Sequence, residues 1–302
     1  MIMATRHHRM DEKWLRTSAG EPRGYIESSK LKELWFHTGT ACNLRCPDCF
    51  EHSKPGDHRL EMVSFEEVKP FIDEAVELSV EQFSFTGGEP FVIKDIISIL
   101  DYALEHRPCL VLTNGILASR IGEVFPMVGK PNPLSFRVSL DFPDIGKHDA
   151  LRGEGMFQRA LETLGELYSA GFHVSVARRS EEGEDFEKVD AAYHPFFRSV
   201  DLPDETPIVS FPNLGKTGMP EITETCMSTH HTSESCKGFM CAFSRMVLKK
   251  EGQMRVYACT LVDDHPHYDL GSSLKDAADV RVTLGHPRCF ACFSGGTSCS
   301  EL

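Results

Sequence analysis

A chain of 302 residues, 41% hydrophobic and 25% charged, has the composition of an ordinary globular protein with room for one large domain or a large and a small one. A net charge of −13 and the lack of any Lys/Arg-rich run argue against a nucleic-acid partner, since a phosphate backbone is held by clustered cations. No apolar run approaches the roughly 18 residues of a membrane span, and the opening MIMATRHHRMDEKWLR lacks the apolar segment of a secretory signal, so a cytoplasmic protein with no membrane partner is expected.

From about residue 31 to 215, short apolar runs alternate with longer amphipathic ones. ELWFHTG reads as a strand leading into a cysteine loop. SFEEVKPFIDEAVELS reads as a helix, with Ser64 and Glu67 as a capping box and Val68, Phe71, Ile72 and Ala75 on one face. Pro70 lies near enough to its start to be tolerated. EQFSFTGGEP is a strand ending in a glycine turn, followed by a helix through IKDIISILDYALEH. CLVLTNG is the next strand, with a short helix from Ile116, and LSFRVSLDF another. GMFQRALETLGELYSAG is a helix stopped by Gly171. FHVSVARRS and TPIVSFPNLG complete the strands. Repeated strand–helix units predict an α/β fold with a parallel sheet. After Gly215 the chain turns polar and Cys-rich, with one hairpin, RMVLKKEGQMRVYACTLV, turning at Glu251–Gly252. So little apolar periodicity suggests order that depends on metal.

Eleven cysteines are many for a protein with no sign of export, where clustered thiols point to metal or redox chemistry rather than disulfides. Cys109, inside CLVL, reads as a small buried hydrophobe. Cys42, Cys46 and Cys49 lie on one short loop. Thiolates select zinc, copper(I) or iron–sulfur clusters. Structural zinc wants four ligands, and neither His37 nor His52 has a knuckle-like spacing, whereas a cubane on three cysteines leaves one iron open for another ligand. Spacing alone leaves zinc and a cluster both standing.

Companions of the loop decide between them. CNLRC–PDC after the first strand, TGGEP (86–90) after the second, then LTNG (112–115) and SLDFPDIGKHDALRGEG (139–155), in that order, resemble the radical S-adenosylmethionine (SAM) superfamily across residues 31–215. The resemblance implies a partial (β/α)6 barrel. It also implies a [4Fe–4S] cluster on Cys42, Cys46 and Cys49 whose open iron binds SAM. One electron would cleave SAM to a 5′-deoxyadenosyl radical that takes a hydrogen atom from substrate, and an external donor such as flavodoxin or ferredoxin would supply it. Gly87 and Gly88 would let backbone approach the ligand, and Glu89 would accept from its ammonium group. Ser139 and Arg152 would serve its ribose and carboxylate. Asp48 stands where many members place an aromatic residue for adenine, with Phe50 after the cysteine instead.

The tail resembles the twitch or SPASM extension of these enzymes. That resemblance implies a small Cys-rich C-terminal domain holding an auxiliary [4Fe–4S] cluster on Cys241, Cys259, Cys289 and Cys292. Cys236 is a substitute for Cys241, and Cys226 and Cys299 are left over. Six residues separate Gly252 from Cys259 rather than the pattern's four, and the chain stops three residues after Cys299, without the last cysteines of the two-cluster form. A zinc knuckle using His230, His231 or His286 is the other reading of the CxxC, although the paired histidines fit a solvated loop. The expected organisation is an N-terminal extension (1–30), a radical SAM core (31–215) and an auxiliary domain (216–302).

The expected reaction is an oxidoreductase-type dehydrogenation of a small molecule, since only about thirty residues precede the first strand, too few for a leader-peptide-binding domain. The alternative is maturation of a ribosomally made peptide by crosslinking, thioether formation or epimerisation. A non-catalytic iron–sulfur or zinc protein is the reading from another class. Arg178 and Arg179 are expected either to face an anionic substrate or to be solvated beside SEEGEDFE.

Overall fold

The computed structural model describes residues 12–212, 219–259, 261–295 and 300. Its main sheet contains β2 (Glu33–His37), β3 (Gln82–Thr86), β4 (Cys109–Thr113), β5 (Leu134–Ser139), β6 (His173–Arg179) and β7 (Ile208–Phe211), each parallel to the next. A parallel pair needs a crossover, and helices supply most of the covering. They are α1 (Phe65–Glu77), α2 (Ile96–Leu104), α3 (Ala118–Ile121), α4 (Ile145–Arg152), α5 (Met156–Ser169), α6 (Phe186–Ala191) and α7 (His194–Arg198). This is the expected partial barrel of six strands.

Local chemistry explains the elements. Both halves of the Ser64–Glu67 capping box are present on α1, and Val68, Phe71, Ile72 and Ala75 are its buried face. Strand residues alternate between two environments. Leu34, Phe36, Phe83, Phe85, Val111, Phe136 and Val138 face the helices in the larger core, where Cys109 is also buried as expected. In register on the opposite face stand Glu33, Trp35, Gln82, Ser84 and Arg137, all buried. The inner wall of the barrel is therefore partly polar. Glu33 is raised above the usual carboxylate range by burial, against which hydrogen bonds from Ser84, Ser300, Trp35 and Gln82 act.

The C-terminal part is less separate than the sequence suggests. Helices α8 (Glu224–His230), α9 (Ser233–Cys236) and α10 (Met240–Phe243) lead into β8 (Ser244–Lys250) and β9 (Gln253–Tyr257). These strands form the expected hairpin, and Glu251 (φ 53°) and Gly252 (φ 74°) give it the two left-handed residues of a tight turn. Strand β8 pairs in parallel with β2, so the sheet runs on to eight strands in the order β7-β6-β5-β4-β3-β2-β8-β9. Beyond it lie α11 (Leu274–Ala278), β10 (Val282–Thr283) and α12 (Cys289–Gly295). Residues 12–32 are no free extension either. The short strand β1 (Tyr25–Ile26) pairs with β10, Arg23 pairs with Glu221 at 2.6 Å, and the Trp14 indole stacks against both His265 and His267 at 4.4 and 4.5 Å. The boundary expected at 215/216 falls outside the described residues.

Candidate active site and second cysteine site

In a parallel α/β sheet, ligands bind beyond the carboxyl ends of the strands. The loop of Cys42, Cys46 and Cys49 leaves the end of β2 there. Glu89 follows β3, Asn114 follows β4, Asp141 follows β5, and Arg179 ends β6.

The glycines of TGGEP seat this loop. The Gly88 N–H donates to the Gly39 carbonyl at 2.9 Å and the Glu89 N–H to the Ala41 carbonyl at 3.1 Å. A side chain on Gly88 would meet Ala41 and Thr40 backbone, and one on Gly87 (φ 141°) would lie 2.6 Å from the Thr38 hydroxyl. The close approach these glycines permit is thus to the cysteine loop itself. Glu89 is fully enclosed and accepts from the Asn114 N–H (2.7 Å), the Thr113 hydroxyl (2.8 Å) and the Phe91 N–H (3.2 Å). Burial nevertheless pushes it up to about 7. Its carboxylate ties β3 to β4. The Asn114 amide, in turn, lies 3.8 Å from the Cys42 sulfur and 2.8 Å from Asn43.

Arg152 binds the Asp141 carboxylate through both Nε (2.5 Å) and Nη2 (3.1 Å), and Arg179 reaches the same carboxylate at 3.3 Å. Two guanidiniums on one carboxylate leave a positive balance, and the Arg152 cation acts on Cys46 to lower a thiol that burial otherwise raises. Arg152 therefore lies beside the loop and is paired with Asp141. Ser139 ends β5 half-buried, and its hydroxyl has no partner among the described residues. Asp48 and Phe50 engage the protein through their carbonyls, with Arg179 and Arg288 respectively, and the Phe50 ring is 42% exposed.

Arg178 corrects both expectations for it. It is fully buried, pairs with Glu184 (2.6 Å) and Asp190 (2.7 Å), and faces neither substrate nor solvent. The acidic run beside it supplies Glu184, and α6 supplies Asp190.

His148, on α4, accepts from the Asp141 N–H at 3.1 Å and is fully buried. Burial first, then the Arg152 cation, push it down to about 4. The unfolded chain therefore binds this proton between about pH 6.5 and 4 while the folded one does not, so stability falls as pH drops through that window. His148→Gln is expected to flatten this acid limb. Parallel limbs for both proteins in melting curves taken from pH 7 to 4 would refute the assignment.

The second cysteine set lies in the C-terminal part. Cys241, Cys259, Cys289 and Cys292 line one cavity, walled mainly by apolar side chains including Phe239, Leu261 and Val282. Tyr268 lies 3.7 Å from the Cys289 sulfur, and burial raises Cys241 and pushes Cys289 up to about 11. Cys236 and Cys226 do not line this cavity, and Cys299 lies outside the described residues. The histidines of the zinc reading are otherwise engaged: His231 with the Phe293 carbonyl at 3.0 Å and His286 with Asp264 at 3.1 Å. His230, exposed at the end of α8, and the half-buried His231 both lie against the Phe293 ring.

Both sites fit iron–sulfur clusters by their donor sets. Each offers only thiols, which soft metals select, and burial holds Cys42 up at about 11, so metal must displace its proton. Among the described residues no three His, Cys, Asp or Glu side chains gather at single-ion spacing. Sequence reasoning missed Asp141, Arg59 and Arg288. An arginine directly before CxxC was the available signal for the last.

The fold and the first site define an enzyme class. Residues 36–187, half the chain, match the model of the radical SAM superfamily, and the chain belongs to that superfamily. It is accordingly a radical SAM enzyme, whose cofactors are a [4Fe–4S] cluster and SAM. Among curated relatives it is 34% identical to the mycofactocin maturase MftC of Mycolicibacterium smegmatis over 133 residues, 44% of this chain and 33% of that protein. It is 33% identical to the subtilosin biosynthesis protein AlbA of Bacillus subtilis over 144 residues, 47% of this chain and 32% of that protein. The match thus spans about a third of these relatives' own length. Among solved structures, SuiB of Streptococcus suis superposes over 83% of this chain and 66% of its own, with a TM-score of 0.61 and 13% identity, which shows the shared fold.

Among the described residues, no helix is long and apolar enough to cross a membrane.

Proposed function

We propose that this chain is a maturase of a ribosomally synthesised peptide. In this reading Cys42, Cys46 and Cys49 hold the SAM-binding cluster, and Cys241, Cys259, Cys289 and Cys292 an auxiliary one. The observation that carries the reading is the 33–34% identity to a maturase and to a bacteriocin biosynthesis protein. These relatives favour a peptide over the small-molecule oxidation first expected. That expectation leaned on the short segment before β2, whose described part is built into the C-terminal region and says nothing of substrate.

When bound, the cluster and SAM supply the one-electron chemistry that removes a hydrogen atom from substrate. The chain's own residues position it. Gly88 and Glu89 hold the loop through their N–H groups, Asp141 sets Arg152 and Arg179 beside Cys46, and Ser139 offers an unengaged hydroxyl at the strand ends. The electron comes from an external one-electron donor of the flavodoxin or ferredoxin kind.

The test is to incubate the anaerobically reconstituted enzyme with SAM, a strong reductant and short peptides encoded beside its gene. The expected result is 5′-deoxyadenosine production that rises with one such peptide. That peptide should lose a hydrogen pair, or take up deuterium from heavy water if epimerised. Turnover of small alcohols with no peptide modified would return the reading to small-molecule oxidation. No 5′-deoxyadenosine under any condition would make the chain a non-catalytic metal protein.

A further inference from the structure

Two arginines join the two cysteine sites. Arg288 precedes Cys289 and lines the second cavity. Its guanidinium donates to the Leu261 carbonyl at 2.9 Å and, on the other side, to the Phe50 carbonyl at 3.0 Å. Phe50 directly follows Cys49. Arg59, at the far end of the same loop, donates to the Glu51 carbonyl at 2.9 Å and pairs with the buried Asp263.

Consecutive carbonyls, 50 and 51, are therefore each held by a guanidinium. Each guanidinium has its second hold within residues 261–263, just downstream of Cys259. The Glu51 carboxylate is fixed as well, by His37 at 3.1 Å. By contrast, the loop's own backbone bonds around Cys49 are few: Cys49 to Cys46 at 3.3 Å and His52 to Cys49 at 2.9 Å. A guanidinium holds two acceptors at once in the fixed geometry of a planar fork, whereas a lysine ammonium is a point charge on a flexible stem.

We propose that Arg59 and Arg288 are positioning residues that couple the two cysteine sites, so that filling the second site fixes Cys49 and sets the environment of the first. The inference rests on the cluster assignments made under Proposed function. Residues 50–51 move only with 261–263 and 288, and a cluster on Cys259 and Cys289 immobilises both of those segments. Such coupling is reciprocal: filling the first site tightens the second by the same factor.

A cycle of four proteins tests it: the full cysteine set or Cys289→Ala/Cys292→Ala, each with or without Arg59→Gln/Arg288→Gln. Each is reconstituted, its iron is counted, and the paramagnetic resonance spectrum and midpoint potential of the reduced first cluster are recorded. With both arginines present, removing the second cysteine pair is expected to shift spectrum and potential. With the arginines replaced, both clusters still load, at about eight irons per chain, and the same removal shifts neither. An equal shift in both backgrounds, or none in either, overturns the proposal. A wild-type protein that holds only about four irons overturns the cluster assignment itself, a failure distinct from an absent shift at full loading. If the double arginine variant does not fold, Arg288→Lys, which keeps the charge but loses the fork, carries the same comparison with the same expected outcome.

Discussion

Alanine at position 88 is expected to unseat the first cysteine loop, costing about 2–3 kcal/mol of stability in the iron-free protein and abolishing iron binding by Cys42, Cys46 and Cys49. The added methyl group would meet the Ala41 carbonyl oxygen well inside contact distance, with the Ala41 carbonyl carbon and the Thr40 oxygen each 2.8 Å away. All three are backbone atoms and cannot rotate aside as a side chain would. Relief requires lifting the loop off the β3 turn, which breaks the Gly88–Gly39 and Glu89–Ala41 hydrogen bonds together. Denaturant titration of the iron-free protein and iron counting after reconstitution measure the two effects. Gly122→Ala is the control. Nothing lies within 4 Å of its added carbon, and its expected change is within about 0.5 kcal/mol. A Gly88→Ala protein with normal stability and full iron would mean that the glycines are not the seat.

The second large effect is chemical. Cys42→Ala/Cys46→Ala/Cys49→Ala should lower bound iron from about eight to about four per chain and remove all 5′-deoxyadenosine production. Replacing the second set instead should also leave about four irons while SAM cleavage remains measurable. The asymmetry separates a site that performs the cleavage from one that assists. Iron unchanged by the first replacement would refute the assignment. Four irons falling to none would leave the tail as a thiol or zinc module and favour redox-neutral chemistry.

Much of this was legible in the sequence because it depends on local rules. The capping box and buried stripe of α1, the strand ahead of the cysteine loop and the hairpin turn at Glu251–Gly252 are each written within a few residues. The four cysteines of the second cavity came from a resemblance in spacing, and the structure places all four on one wall-to-wall space. Side-chain pairing across long separations was not legible. Nothing local shows that Asp141 binds Arg152 at both nitrogens. Arg178 read as exposed because a charge beside an acidic run usually is, and its burial depends on β6 carrying it under Glu184 and Asp190. The TGGEP glycines look alike whether they admit a ligand or a neighbouring loop, and only the loop's position decides.

The pairing of β2 with β8 has a consequence for how the chain is made. Strand β2 sits inside the finished sheet, yet the partner for one of its edges is about 210 residues downstream. During synthesis the strands from β2 to β7 can assemble as they emerge, but that edge of β2 stays open until residues 244–250 leave the ribosome. An open strand edge is a template for pairing with another chain, and long-range parallel pairing is slow. The nascent protein is therefore most exposed to aggregation in the interval between translation of β7 and of β8. A chain truncated before Ser244 would be held in that vulnerable state for good, so the barrel and its tail are better regarded as one folding unit than as a core with an accessory.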